Sequence, residues 1–179
     1  MVLDMESEFY KIAKTITGNP KNFHKLFAIS PKGRIAMMGA DGGVLVSNGM
    51  LGILLRSNPE RAYRCGKRSA RDSFGELVKE FDEEVENLPP QKKFELAIGM
   101  ARATGWGEIE VVSFETKRME ATLKVARTIE GGFKEDSGYM LTAGYLAGLA
   151  SICFSSDMDC STEQDGSGMT VFRLHRGKG

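Results

Sequence analysis

Apolar residues recur along this chain at two periods, and the switches between them mark out its elements. Between Met5 and Thr17, Phe9, Ile12, Ala13 and Ile16 fall at helical steps, and Gly18-Asn19-Pro20 is a stop signal. Short apolar runs follow over Phe23 to Ile29, Arg34 to Met38 and Val44 to Val46. They are separated by Ser30-Pro31-Lys32-Gly33 and Asp41-Gly42-Gly43. Both separators are turn chemistry, so the runs predict a small β-meander. Asn48 is a candidate cap for a helix through Leu51, Leu54 and Leu55. Asn58-Pro59-Glu60 opens the longest helix, combining a good N-cap with proline in the first turn. That helix carries Tyr63, Ala70, Phe74, Leu77, Val78, Phe81 and Val85 to about Leu88, with Gly66 and Gly75 as candidate bends.

Pro89-Pro90 breaks the chain, and Phe94, Ala97, Ile98 and Ala101 mark a further helix ending at Thr104-Gly105. The period then falls to two. Ile109, Val111 and Ser113 alternate with Glu108, Glu110 and Val112. Met119, Ala121, Leu123 and Val125 alternate with Glu120, Thr122 and Lys124. One buried face and one wet face imply an antiparallel sheet. Gly131-Gly132 begins a polar loop to Ser137. Tyr139 to Phe154 is apolar all round and rich in small residues, a buried helix. Strands around Met158 and over Met169 to His175 close the chain. Strands and helices are grouped rather than alternating, which predicts an α+β fold: a twisted antiparallel sheet with helices packed on one side. The reading is one domain, residues 1–179, with an extension over 1–42 and a core over 43–176.

Composition narrows the partners. The chain has 179 residues, is 41% hydrophobic, and carries 24 basic and 24 acidic residues. A balanced charge gives no electrostatic pull toward nucleic acid and leaves little repulsion against self-association. No apolar run reaches the roughly 20 residues of a membrane span. The opening MVLDMESEFYK resembles no export leader. Three cysteines, Cys65, Cys153 and Cys160, form no disulfide framework and suit a reduced cytoplasm.

Few residues suggest chemistry. Gly144 and Gly148, with Ala143 and Ala147, let a neighbouring backbone approach the Tyr139–Phe154 helix; close packing on a sheet is the economical reading, and a cavity wall the functional one. Cys153, Asp157 and Cys160 are too few for a closed zinc site, and His24 and His175 are distant in sequence. No nucleophile turn or phosphate loop is present. Trp106, the one tryptophan, lies between glycines at a helix–strand junction. There it plugs the core or stacks on a ligand.

The C-terminal third, TAGYLAGLASICFSSDMDCSTEQDGSGMTVFRL, resembles the signature of the vinyl-4-reductase domain family. YRCGKRSARDSFGELVKEF resembles that family's long helix, and FELAIGMARATGWGEIEVVSFE its helix–Gly–x–Gly–strand unit. The resemblance spans roughly Gly43 to His175. It implies the α+β fold of TRAPP vesicle-tethering subunits and of the phenol-sensing domains of bacterial transcription activators, with dimers usual. The reductase in the family's name comes from a relative tied to bacteriochlorophyll synthesis, and no dinucleotide motif here supports such an activity. In the sensor branch a zinc ion is held at positions that fall on Tyr139, Asp157, Cys160 and near Gly168. Two of these cannot ligate zinc in the usual way. The expectation is therefore no metal, with Asp157 and Cys160 as remnants, and with the helix and strand held by packing alone.

The reading that results is a module for a small apolar or aromatic ligand, seated between helices and sheet, with Phe94, Trp106, Tyr139 and Tyr145 as its lining and no cofactor. A dimeric scaffold subunit is the alternative. An enzyme using Cys153 or Cys160 as nucleophile ranks last.

Overall fold

The computed structural model describes residues 27–29, 35–37, 40–43, 58–80, 85, 87–130, 139–166 and 168–177. The helices read over Met5–Thr17 and after Asn48, the run Val44–Val46, residues 81–84, His24 and the loop from Gly131 to Ser137 lie outside them. Among the described residues, β1 (Phe27–Ile29), β2 (Ile35–Met37) and β3 (Ala40–Gly43) form an antiparallel three-stranded sheet in that order. The meander therefore exists, but Asp41-Gly42-Gly43 belongs to its third strand rather than to a turn. The register shifts between Ile35 and Ala36, so that Gly43 pairs with Ile35 and Gly42 is the extra residue of the bulge.

Helix α1 (Pro59–Glu80) starts where the sequence says it must: the Asn58 side chain accepts from the Arg61 amide at 2.9 Å. Helix α2 (Pro90–Ala103) ends in a Schellman motif, with Trp106 N donating to Ala101 O and Gly105 N to Arg102 O. Gly105 takes the left-handed conformation this requires, φ +86°. Strands β4 (Glu108–Glu115) and β5 (Glu120–Ala126) follow, then α3 (Met140–Phe154), β6 (Met158–Gln164) and β7 (Thr170–Arg176). These strands make one antiparallel sheet ordered β4-β5-β7-β6.

The period-two reading holds along β5, where Ala121, Leu123 and Val125 are buried. In β4 it fails halfway. The pairing shifts between Val111↔Leu123 and Ser113↔Thr122, so Val112 is an extra, bulged residue. Beyond the bulge Phe114, not Ser113, packs against the core, and Val112 is turned out to 51% exposure.

Helix α3 is the centre of the molecule. It packs on α1, on α2 and on the strands, and for that reason it is apolar all round, with Leu146, Ala147, Leu149 and Ala150 fully buried. Its small-residue stripe faces α1. A Cβ on Gly144 would lie 2.0 Å from the Tyr63 carbonyl oxygen, and one on Gly148 2.4 Å from that of Lys67. From the other helix, a Cβ on Gly66 would lie 2.2 Å from Leu141 O. The glycines thus serve a helix–helix crossing rather than the helix–sheet contact expected. Gly66 lies directly against α3, a packing reason for glycine at that position.

Candidate functional site

Four side chains were expected to line a ligand site, and the structure distributes them over three aromatic contacts. Trp106 stacks on Tyr145, ring centroids 3.7 Å apart and planes 12° apart. Phe94 meets Phe114 at 4.8 Å, and Phe114 in turn stacks on Phe154 at 4.9 Å. Tyr139 meets Phe172 edge-on at 6.4 Å. All four belong to or pack against one core cluster, but only Trp106 and Tyr145 touch as a pair.

That pair is held from both ends. The Schellman turn after α2 fixes Trp106, and Gly107 (φ +130°) lets the chain pass close to Ala126 O. Tyr145 projects from the second turn of α3 and is 2% exposed. Its hydroxyl is hydrogen-bonded to the Thr104 side chain, and burial pushes it above the ordinary phenol range. Trp106 is half-buried and also packs on a second apolar group, Ala62 and Leu141 with Ile129 and Met140. The pair therefore runs from a partly open edge into the interior.

Polar groups missed in the sequence sit beside it. Glu130, 1% exposed, accepts from Leu141 N at 3.1 Å and Thr142 N at 2.7 Å. It caps α3 from outside the helix. Tyr139, in the left-handed conformation at the N-cap, makes no side-chain cap. A helix start lacking Ser, Thr, Asp or Asn at that position was the available signal, because its free N–H groups need an acceptor from elsewhere. Thr142 is fully buried, and its Oγ1 has no hydrogen-bond partner among the described residues.

A second polar group joins α1 to β6. Tyr63 Oη accepts from Cys160 N at 3.0 Å and donates to Asp159 Oδ1 at 3.2 Å. Lys67 Nζ lies 3.1 Å from both Asp157 Oδ1 and Asp159 Oδ1, and Arg71 pairs with Asp157. Burial works to raise the Asp157 carboxyl, but the bonds and charges of Lys67 and Arg71 outweigh it and hold the group below its ordinary value. Burial pushes the Tyr63 hydroxyl and the Cys160 thiol upward. Ser151 ties α3 to the same strand, donating to Ala147 O at 2.7 Å and accepting from Met158 N at 3.0 Å. Helix and strand are thus held by directed polar contacts as well as packing, which corrects the expectation of packing alone.

These residues do not fit a tetrahedral zinc. Asp157 is engaged by two cations, Gly168 offers no side chain and sits at φ +85° in a turn, and Tyr139 packs edge-on against Phe172. Among the described residues no three His, Cys, Asp or Glu side chains converge.

No protein-family model and no curated protein matches the chain. Solved structures do. The phenol-responsive sensory domain of the transcription activator PoxR, solved with phenol, superposes with a TM-score of 0.70 at 13% identity, over 98% of this chain and 92% of that one. The chain shares that fold. A trafficking protein particle complex subunit 3 from Naegleria fowleri, covalently bound to palmitic acid, gives a TM-score of 0.53 at 10% identity over 73% of this chain and 91% of that one. A vinyl-4-reductase family protein from Methanocaldococcus jannaschii gives 0.51 at 13% identity over 76% and 85%. The fold expected from the C-terminal third is therefore found. Among the described residues no helix is long and apolar enough to cross a membrane.

Proposed function

We propose that this chain is a binding module for a small, largely apolar aromatic molecule, held against the Trp106–Tyr145 pair. The observation that carries the proposal is a stacked pair with one ring buried and one half-open, whose buried ring, Tyr145, stands on the same helix as Thr142, a buried hydroxyl without a partner among the described residues. An aromatic platform with a few placed polar groups is the usual make-up of a small-molecule site. A fold shared with a phenol-responsive sensory domain supports the same reading. In this reading Phe94, buried, and Tyr139, half-buried, complete the lining. The module works as a cytoplasmic homodimer without zinc, and passes its state to a partner.

The scaffold alternative draws on the fold shared with the trafficking-complex subunit. It needs an apolar surface for the next subunit. Among the described residues the exposed large hydrophobic side chain is Val112 alone. The thiols do not favour catalysis: burial pushes Cys153 up to about 12 and raises Cys160 as well, so neither supplies a thiolate at neutral pH.

Native mass spectrometry of protein purified without denaturant tests the reading, since one spectrum reports subunit number, zinc and retained small molecule. The expected result is a metal-free dimer, with phenol raising the melting temperature. A spectrum without retained ligand, together with no thermal shift from any small aromatic compound, would refute it.

A further inference from the structure

We infer that Thr142 decides which molecule the site accepts: its hydroxyl pairs with a neutral hydrogen-bonding substituent on an aromatic guest. This rests on the ligand-binding reading above and adds the chemistry of the guest.

Buried threonine and serine hydroxyls in helices ordinarily turn back to the carbonyl four residues earlier. Ser151 does so on this same helix, bonding Ala147 O at 2.7 Å, and Thr104 does so at the end of α2, bonding Met100 O at 2.9 Å. Thr142 is the exception. It lies in the first turn of α3, where the carbonyl four residues back precedes the helix. It is 0% exposed, and its hydroxyl has no partner among the described residues. Native structures rarely leave such a group unsatisfied, because it lost its water on folding and gained nothing in return. Thr142 stands one turn before Tyr145 and so shares its flank of the helix. A guest resting on the Trp106–Tyr145 pair is therefore within one helical turn of a hydroxyl that can both donate and accept.

Glu130 fixes the guest's charge. Helix N-termini attract anions through their free N–H groups. Here the Leu141 and Thr142 amides are already taken by the Glu130 carboxyl, at 3.1 and 2.7 Å. An anionic guest would meet that acid in place of open donors. The compatible class is an aromatic alcohol, phenol or amide, and the excluded class is an aromatic carboxylate.

Trp106 is the chain's single tryptophan, so its fluorescence reports the site directly. Wild type, Thr142→Val and Thr142→Ser are titrated with phenol, with its near-isostere toluene, and with benzoate. Wild type is expected to bind phenol about tenfold more tightly than toluene, the worth of one net hydrogen bond, and benzoate least of the three. Thr142→Val, which replaces the lone hydroxyl by a methyl, should fold at least as stably. It should lose that tenfold preference while its toluene affinity stays within about twofold of wild type. Thr142→Ser should retain the preference. A valine variant that still discriminates phenol from toluene as wild type does would overturn the role of Thr142 and leave the ligand-binding reading standing. Benzoate binding as tightly as phenol would overturn the charge argument. No response of wild type to any of the three compounds would bring down both readings. Should the valine variant not fold, equal wild-type affinity for phenol and toluene overturns the inference by itself.

Discussion

Helix α1 meets the rest of the molecule along two contacts of opposite character. On one side, Gly66 approaches Gly144 and Leu141, and the Tyr63 and Lys67 carbonyls rest on Gly144 and Gly148 without an intervening side chain. On the other side, Tyr63, Lys67 and Arg71 reach Asp157, Asp159 and the Cys160 amide through hydrogen bonds and ion pairs. Tyr63 belongs to both, its carbonyl to the first and its hydroxyl to the second. The seam depends on backbone geometry, which has no room to adjust. The polar contact depends on flexible side chains, several of them exposed, which water and salt screen. The two should therefore fail under different perturbations and by different amounts.

The largest effect is expected at the seam. Gly144→Ala places a methyl 2.0 Å from a backbone oxygen, so the helices must separate. A loss of about 3 kcal/mol or more is expected in urea unfolding, near the top of the range for overpacking. A loss under about 1 kcal/mol would show that the seam has slack. Next comes Tyr63→Phe, which leaves the Cys160 amide without its acceptor at 3.0 Å. It should cost about 1.5 kcal/mol with the fold intact by circular dichroism. A smaller and opposite effect is expected at Gly75, on the same helix but with nothing within 4 Å of a built Cβ. Gly75→Ala should stabilise by about 0.5 kcal/mol, so that two glycine-to-alanine changes differ in sign by where they stand.

The smallest effect is electrostatic. Asp157 is held below its ordinary value of 3.8, so the unfolded chain binds its proton more readily than the folded one. Its contribution is present above that value and fades as pH falls through the folded-state pKa. The Asp157 side chain is 65% exposed, so the contribution at neutral pH should stay under about 0.5 kcal/mol and shrink in high salt. Asp157→Asn should accordingly be less stable than wild type at pH 7, with a narrower gap near pH 3, about one unit below the ordinary carboxylate pKa. An unchanged gap at both pH values would mean that the loss is packing, not charge.

Much of the fold was legible from local signals. Asn58-Pro59 caps α1 and Thr104-Gly105 ends α2, because caps need particular side chains and backbone conformations within a few residues. The alternation over Ala121–Val125 gave β5 its buried face directly. The site was legible only in part. Trp106 and Tyr145 were singled out for chemical type and do meet, whereas Phe94 and Tyr139 have other aromatic partners. Glu130, Thr142 and Lys67 drew no notice, since each matters through a partner distant along the chain or through the lack of one.

Among the described residues, the sequence by itself determined the helices, the strands of the larger sheet, their order along the chain and the α+β class, since helix and strand periods, caps and breakers are all short-range properties. Only the tertiary structure decided that the glycines of α3 serve α1 rather than the sheet, that Val112 bulges outward, and that Glu130 closes a helix it does not belong to. Each of those outcomes depends on which surfaces meet after the chain has folded back on itself. Close approach, register and burial of a polar group are properties of pairs of segments, and neither segment carries them alone.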